Sequence, residues 1–334
     1  MSEPVLQLSA IAVEYGRGGQ RVRAVDGVDL AIARGEVVGL VGESGCGKST
    51  LARAAVGLEP LAAGHVTFEG HDVTHLGRRR RPTYLRGLQM VFQDPYESLN
   101  PRRKVGEIVA EPLNIWSIGT VEERKAKVRE VLEAVGLDPD TAVDKRPHEF
   151  SGGQRQRIAI ARTLATQPSC LIADEPISAL DASAQAQIAN LLGELVKDAD
   201  LGLVLVSHDL SVVRQVADRV AVMYLGKLCE VGSPDTLYAE PAHPYTNALL
   251  ASIPVPDPTA KVADEPPLRG ELPSPIDPPS GCRFRTRCPR AQERCAAEEP
   301  QLRRVDEGHF VACHFPLVEP VPDSPAPAVD AVPS

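Results

Sequence analysis

Eight residues constrain this chain more than any others. Gly42-Glu43-Ser44-Gly45-Cys46-Gly47-Lys48-Ser49 fits the pattern G-x-x-x-x-G-K-[ST], which works only between a buried strand and a helix. The flanks supply both. Glu36–Val41 reads as a buried strand, apolar at Val37, Val38, Leu40 and Val41, and Leu51–Val56 reads as a helix that stops near Gly57. Glycines in such a loop let backbone N–H groups close around phosphate oxygens, and the helix start adds partial positive charge. Lys48 is expected to reach the β- and γ-phosphates, and the Ser49 hydroxyl to ligate Mg²⁺. Cys46 has two readings: a reactive thiol lowered by Lys48 and the helix start, or a small filler that the ligand covers.

Around this loop, strand and helix patterns alternate from Leu6 to about Leu250, which predicts an α/β domain with a mostly parallel sheet. Cys170–Ala173 and Leu203–Val206 are short apolar runs suited to buried strands. Val121–Val135 sets Val128, Val131, Leu132 and Val135 on one side of a charged helix. Arg219–Val231 reads as a hairpin turning at Gly226. At the end of the Cys170 run, Asp174 and Glu175 place two carboxylates where ligands bind in such sheets. Asp174 is expected to help hold Mg²⁺ and Glu175 to polarise an attacking water; the plainer alternative is a strand ending in solvated acids.

Composition narrows the classes. A net charge of −9 weighs against nucleic acid as the main partner. Apolar runs such as Leu203–Val206 fall far short of the ~18 residues of a spanning helix. Met1-Ser2-Glu3-Pro4 has neither a basic stretch nor an apolar core of a secretion signal. The basic run Arg78-Arg79-Arg80-Arg81 reads first as a solvated loop, with contact to a membrane surface or permease as the alternative.

Further motifs stand in order along the chain. Phe150-Ser151-Gly152-Gly153-Gln154-Arg155-Gln156-Arg157 resembles the signature segment of ABC transporter ATPases, with Phe150 where many members have Leu. Gln93, in Val91-Phe92-Gln93-Asp94-Pro95, resembles the Q-loop; Ser178-Ala179-Leu180-Asp181 resembles the D-loop; His208 resembles the switch histidine. Tyr15 sits where an aromatic stacks on adenine in that family. Ser151 is also a good helix N-cap in its own right, before an amphipathic run through Ile158, Ile160, Ala161 and Leu164. Val91 to Pro101, Arg146 to Phe150 and His243 to Leu250 resemble the oligopeptide/dipeptide importer branch more narrowly.

The resemblance implies an ABC-type P-loop NTPase fold: a mostly parallel α/β core, an antiparallel β subdomain and an inserted helical subdomain. It implies an ATP-binding domain over 5–252, with its helical subdomain at about 95–165, a Pro-rich connector over 253–280, a four-cysteine extension over 281–318 and a disordered tail over 319–334. It assigns ATP contacts to Tyr15, to Gly42, Glu43, Ser44, Gly45, Cys46, Gly47, Lys48, Ser49 and Thr50, and to Ser151, Gly152, Gly153, Gln154 and Asp181. Catalysis falls to Glu175, His208 and Gln93, and Mg²⁺ to Ser49, Gln93 and Asp174. The implied activity is ATP hydrolysis energising import of oligopeptides or dipeptides at the cytoplasmic face of the plasma membrane. Implied partners are two permease subunits, a second related ATPase and an extracytoplasmic solute-binding protein. Nickel and glutathione-like solutes are alternative cargoes. Trp116 and Phe92 are candidates for the groove where a permease helix docks. A soluble ABC ATPase working on DNA or ribosomes is disfavoured, because the chain has one nucleotide domain and no long heptad run. A non-enzymatic regulator is disfavoured by the presence of Lys48, Asp174, Glu175 and His208 together.

Seven cysteines in a chain without an export signal suggest free thiols or metal ligands over a disulfide framework. Cys282, Cys288, Cys295 and Cys313 follow C-x5-C-x6-C-x17-C in a segment too short for its own core. Paired knuckles typical of zinc are absent, while some members of the importer branch carry a [4Fe–4S] cluster here. Zinc, disulfides and free thiols stay open beside that reading. Arg283, Arg285 and Arg287 are expected to offset the cluster's charge. The segment is expected to be structural or regulatory, with ATP binding surviving replacement of any one of the four cysteines.

Overall fold

The computed structural model describes residues 3–16, 21–75, 81–94, 98–178, 180–253 and 270–319. Most of the Pro-rich connector, the tail from 320, Arg78 to Arg80, Pro95 to Glu97 and Ala179 lie outside the described residues. Strands are β1 (Leu6–Tyr15), β2 (Val22–Ile32), β3 (Val37–Val41), β4 (Ala63–Phe68), β5 (His71–Asp72), β6 (Leu88–Val91), β7 (Cys170–Asp174), β8 (Gly202–Ser207), β9 (Arg219–Tyr224), β10 (Lys227–Gly232), β11 (Arg303–Asp306) and β12 (His309–Val311). They form two sheets. One is antiparallel, in the order β2-β1-β4-β5; the other runs β11-β12-β10-β9-β3-β8-β7-β6.

The larger sheet is parallel from β9 to β6. Its central strands β3, β7 and β8 are buried along their whole length, which is why they read as continuous apolar runs without alternation. Alternation shows instead in which layer each side chain enters. Val37 and Val41 join a core under the helices, together with Leu171, Leu203 and Leu205. Val38 and Leu40 join the opposite core, with Ile172, Val204, Val206 and the antiparallel sheet. The strand period of two thus sorts one apolar run into two hydrophobic layers.

The helices Val105–Ile115, Val121–Ala134 and Gly152–Leu164 pack on one another beside the first core. Thr120 starts the second of these, accepting the Glu123 N–H at 3.3 Å, as a Thr-x-x-Glu capping box should. The hairpin β9–β10 forms as the sequence predicts. The helix after the phosphate loop spans Lys48–Ala55, so it begins three residues before the apolar run that announced it.

The four-cysteine segment is continuous with the core. β12 pairs with β10 through Glu230–Val311 and Val231–Phe310, so the β11–β12 hairpin extends the large sheet. Buried Glu230 fixes the junction, accepting the Ala242 N–H at 2.6 Å, the His243 N–H at 2.8 Å and the His309 Nε2 at 2.7 Å. Among the described residues no helix is long and apolar enough to cross a membrane.

Candidate functional site

Four parallel neighbours, β3, β8, β7 and β6, end on one edge of the large sheet. Their following residues are the Gly42–Ser49 loop, His208, Glu175 and the Gln93 loop. Motifs spread over more than a hundred residues therefore meet because their strands are parallel and adjacent.

The loop's glycines are demanded by its backbone. Gly42 has φ 150° and Gly47 φ 107°; a Cβ on Gly42 would lie 2.1 Å from the Met223 carbonyl, and one on Gly47 2.2 Å from the Ala24 carbonyl. Gly47 then opens the helix in a left-handed conformation. Lys48 is buried, and its Nζ donates to the Gly42 carbonyl at 2.8 Å and the Glu43 carbonyl at 3.0 Å. Cys46 is 1% exposed, and burial pushes its thiol up despite the pull of Lys48. Of its two readings the reactive, lowered thiol is thereby corrected: desolvation outweighs the helix start and the ammonium.

Ser49 Oγ donates to Asp174 Oδ1 at 2.7 Å. Asp174 is fully buried, and its Oδ2 has no hydrogen-bond partner. Burial pushes its carboxyl up, opposed by the Ser49 hydroxyl and by Arg53 at 3.9 Å. A buried carboxylate oxygen without a donor marks a place where a cation fits. Glu175 follows at φ 46°, a left-handed conformation that is uncommon off glycine. Its N–H is anchored on the Val206 carbonyl at 3.0 Å. Its Oε2 accepts from Gln93 Nε2 at 3.1 Å and lies 3.5 Å from His208 Nδ1. Glu175, Gln93 and His208 are thus brought together.

Tyr15, at the end of β1, comes to the same loop: burial raises its hydroxyl, and a hydrogen bond with Thr50 opposes the rise. Ser151 caps the Gly152–Leu164 helix as expected, accepting the Gln154 N–H at 3.3 Å while its own N–H donates to Gln154 Oε1 at 3.0 Å. Asp181 caps the helix Ala182–Ala199, accepting the Ala184 N–H at 2.9 Å. A Cβ on Gly152 or Gly153 would touch Leu180 or Ala184, so signature segment and D-loop are neighbours. Phe92 is exposed, whereas Trp116 packs partly against the core.

Cys282, Cys288, Cys295 and Cys313 line one cavity, with His243, Arg285 and Arg290 at its wall. All four are free thiols. Burial pushes Cys282 to about 11 and Cys313 to about 12, and Cys288 upward as well. Among the described residues, no three His, Cys, Asp or Glu side chains are drawn together as the ligands of one metal ion. The expectation for the arginines needs correction. Arg283 pairs with Asp26 and donates to the Leu225 carbonyl, and Arg287 pairs with Glu43; both reach into the nucleotide domain, where carboxylates and a carbonyl accept them. Only Arg285 of the three lines the cavity, and Arg290 joins it.

Sequence reasoning missed Arg287 and Tyr245 as neighbours of the phosphate loop. His243-Pro244-Tyr245 stood out only as a mark of resemblance, and a contact across 202 residues leaves no local signal.

Comparison with known proteins agrees with this geometry. Residues 25–178 match the family model for the ABC transporter, and residues 229–295 that for the oligopeptide/dipeptide transporter C-terminal region. The chain is 52% identical over 315 residues to the putative oligopeptide transport ATP-binding protein YkfD of Bacillus subtilis, covering 93% of this chain and 95% of that protein. It is 50% identical to the oligopeptide transport ATP-binding protein AppF of the same organism, over 88% of this chain and 90% of that one. Among solved structures, the ATP-binding cassette MJ0796, in a dimeric post-hydrolysis state bound to ADP and Pi, superposes with TM-score 0.62 at 30% identity, over 69% of this chain and 98% of that one. CbiO1 from Clostridium perfringens gives TM-score 0.63 at 29% identity, over 72% and 92%.

Proposed function

The chain belongs to the ABC transporter ATP-binding proteins of the oligopeptide/dipeptide branch, and on that premise we propose that it hydrolyses ATP to energise peptide import through a membrane permease. The observation that carries this reading is the convergence of the Gly42–Ser49 loop, Asp174, Glu175, Gln93 and His208 on one sheet edge.

In this reading the loop amides and Lys48 bind the phosphates, exchanging the Gly42 and Glu43 carbonyls for phosphate oxygens around the ammonium. Tyr15 stacks on the base. Ser49, Asp174 and Gln93 hold Mg²⁺, for which the partnerless Asp174 oxygen is suited. Bound there, Mg²⁺ neutralises charge on the phosphates. Glu175 orients and activates water, His208 holds the γ-phosphate, and Gln93 links the site to the groove where the permease docks. Ser151, Gly152, Gly153, Gln154 and Asp181 act on the nucleotide of a second, related ATPase, in a face-to-face pair. The similar cassette MJ0796 has a dimeric structure, which supports a pair as the working unit. Closure of the pair turns the permease outward; hydrolysis and release reset it.

The partners in this reading are two permease subunits, the second ATPase and, through the complex, an extracytoplasmic solute-binding protein. The chain sits peripherally at the cytoplasmic face. Co-purification with permease subunits, followed by uptake assays with peptides, nickel and glutathione, tests it; uptake of nickel or glutathione without peptide would reassign the cargo.

We also propose that Cys282, Cys288, Cys295 and Cys313 hold a [4Fe–4S] cluster. What supports this reading is that four free thiols, the donors such a cluster takes, line one cavity. Such a cluster would supply cross-linking and negative charge, which Arg285 and Arg290, lining the same cavity, would offset. Anaerobically purified protein should be brown, absorb broadly near ~400 nm and carry about four irons per chain. Colourless anaerobic protein with stoichiometric zinc or no metal sinks this reading.

A further inference from the structure

One residue of the phosphate loop, Glu43, is held at every polar group. Its carbonyl accepts from Lys48 Nζ at 3.0 Å. Its N–H donates to the hydroxyl of fully buried Tyr245 at 2.9 Å. Its carboxylate receives both prongs of Arg287: Nη1 to Oε2 at 2.6 Å and Nη2 to Oε1 at 3.1 Å. Such a two-pronged pair fixes direction as well as distance.

Arg287 is itself locked. Its side chain is 5% exposed, its Nη1 lies 3.5 Å from the Tyr224 hydroxyl, and its guanidinium sits 5.9 Å from the centre of the Tyr224 ring. Its N–H turns back onto the Phe284 carbonyl at 3.0 Å. Phe284 wedges edge-on against Tyr224 at 5.3 Å and tilted against Tyr245 at 5.3 Å. The clamp therefore comes from the stretch between Cys282 and Cys288 and closes on the second residue of the phosphate loop. A further contact lies alongside: Leu272, just before the four-cysteine segment, comes within 3.8 Å of a Cβ built on Gly45.

We propose that Arg287 is a positioning residue of the nucleotide site: by neutralising and orienting Glu43 it holds the phosphate loop in its ligand-ready shape. The proposal rests on reading Gly42–Ser49 as the ATP site. Its physical core is charge. Without Arg287, the Glu43 carboxylate stays beside the position of the phosphates with no cation on it. The like charge repels the incoming nucleotide, and the loop loses its outer tether.

The test is nucleotide binding by the full-length chain, read with N-methylanthraniloyl-ATP and Mg²⁺, alongside steady-state hydrolysis in the complex. Arg287→Ala should weaken Kd and raise KM about ten- to hundred-fold, the range of a lost charge-assisted contact, with kcat within about twofold. Arg287→Lys keeps the charge but not the fork, so it should lose less. Glu43→Gln in the Arg287→Ala background should restore most of the affinity, since no charge is then stranded. A structural role for Arg287 alone predicts no such rescue. Wild-type affinity in Arg287→Ala, or a double variant as weak as Arg287→Ala, overturns the proposal. If Arg287→Ala does not fold, wild-type Kd and KM in Arg287→Lys overturn it instead. Lys48→Ala separates the two levels. If it abolishes binding while Arg287→Ala binds normally, the ATP-site reading stands and only the positioning role falls; if wild type binds no nucleotide, both fall.

Discussion

Two carboxylates flank the phosphate loop, and they are treated in opposite ways. Glu43 is saturated, both oxygens gripped by Arg287. Asp174 is buried with one oxygen on Ser49 and the other without a hydrogen bond, Arg53 Nε standing 3.9 Å from it. A carboxylate with both oxygens on one guanidinium fork anchors, because the fork fixes its direction as well as its distance. A buried carboxylate with an open oxygen is costly unless something arrives to use it. The contrast separates the corner that holds the loop from the corner that does chemistry, and it does so from hydrogen bonds alone.

The largest test of that division is Glu175→Gln, next to the open corner. Hydrolysis should slow by roughly 10²–10⁴-fold, the size of a general-base contribution, with nucleotide binding retained and a nucleotide-bound dimer accumulating on gel filtration. Near-normal turnover in the purified complex would remove Glu175 from the chemistry. Next is Lys48→Ala, which should lose ATP binding itself, since a charge-assisted contact to phosphate disappears; titration calorimetry reads it directly. Ser151→Ala removes a cap distant from both corners. It should cost about 1 kcal/mol of helix stability, and in mixed dimers it should impair the site built with the partner's loop while sparing its own. The smallest effect on nucleotide belongs to Arg283→Ala. Its partner Asp26 keeps Lys227 and Arg23, so losing this mostly buried pair should cost about 1–3 kcal/mol in denaturant unfolding with nucleotide Kd within about twofold. A large loss of affinity there would show that the whole segment, not Arg287 in particular, shapes the loop.

The open corner was legible in the sequence, and the saturated one was not. Gly42–Ser49, Asp174, Glu175 and His208 each follow a short apolar run, and parallel strands bring such ends together without further instruction. Arg287 and Glu43 are 244 residues apart, in segments whose composition hints at separate units. Nothing in Arg283, Arg285 and Arg287 says which guanidinium faces the cavity and which faces away. β11 and β12 span four and three residues, too few for alternation to reveal a strand. The early start of the Lys48 helix was hidden because polar Lys48, Ser49 and Thr50 precede its apolar face.

The junction at β10 has a practical consequence for anyone who trims the chain. Cutting near residue 252, where the cassette motifs end, would strip β12 from β10 and leave a strand with bare N–H and C=O groups along the sheet's rim. It would also remove His309 from Glu230, leaving a carboxylate inside the fold with one donor fewer. A naked rim of this kind is a template for pairing with other copies. The shortened protein should therefore precipitate or stack into oligomers where the full chain stays dispersed, and light scattering during refolding would register it.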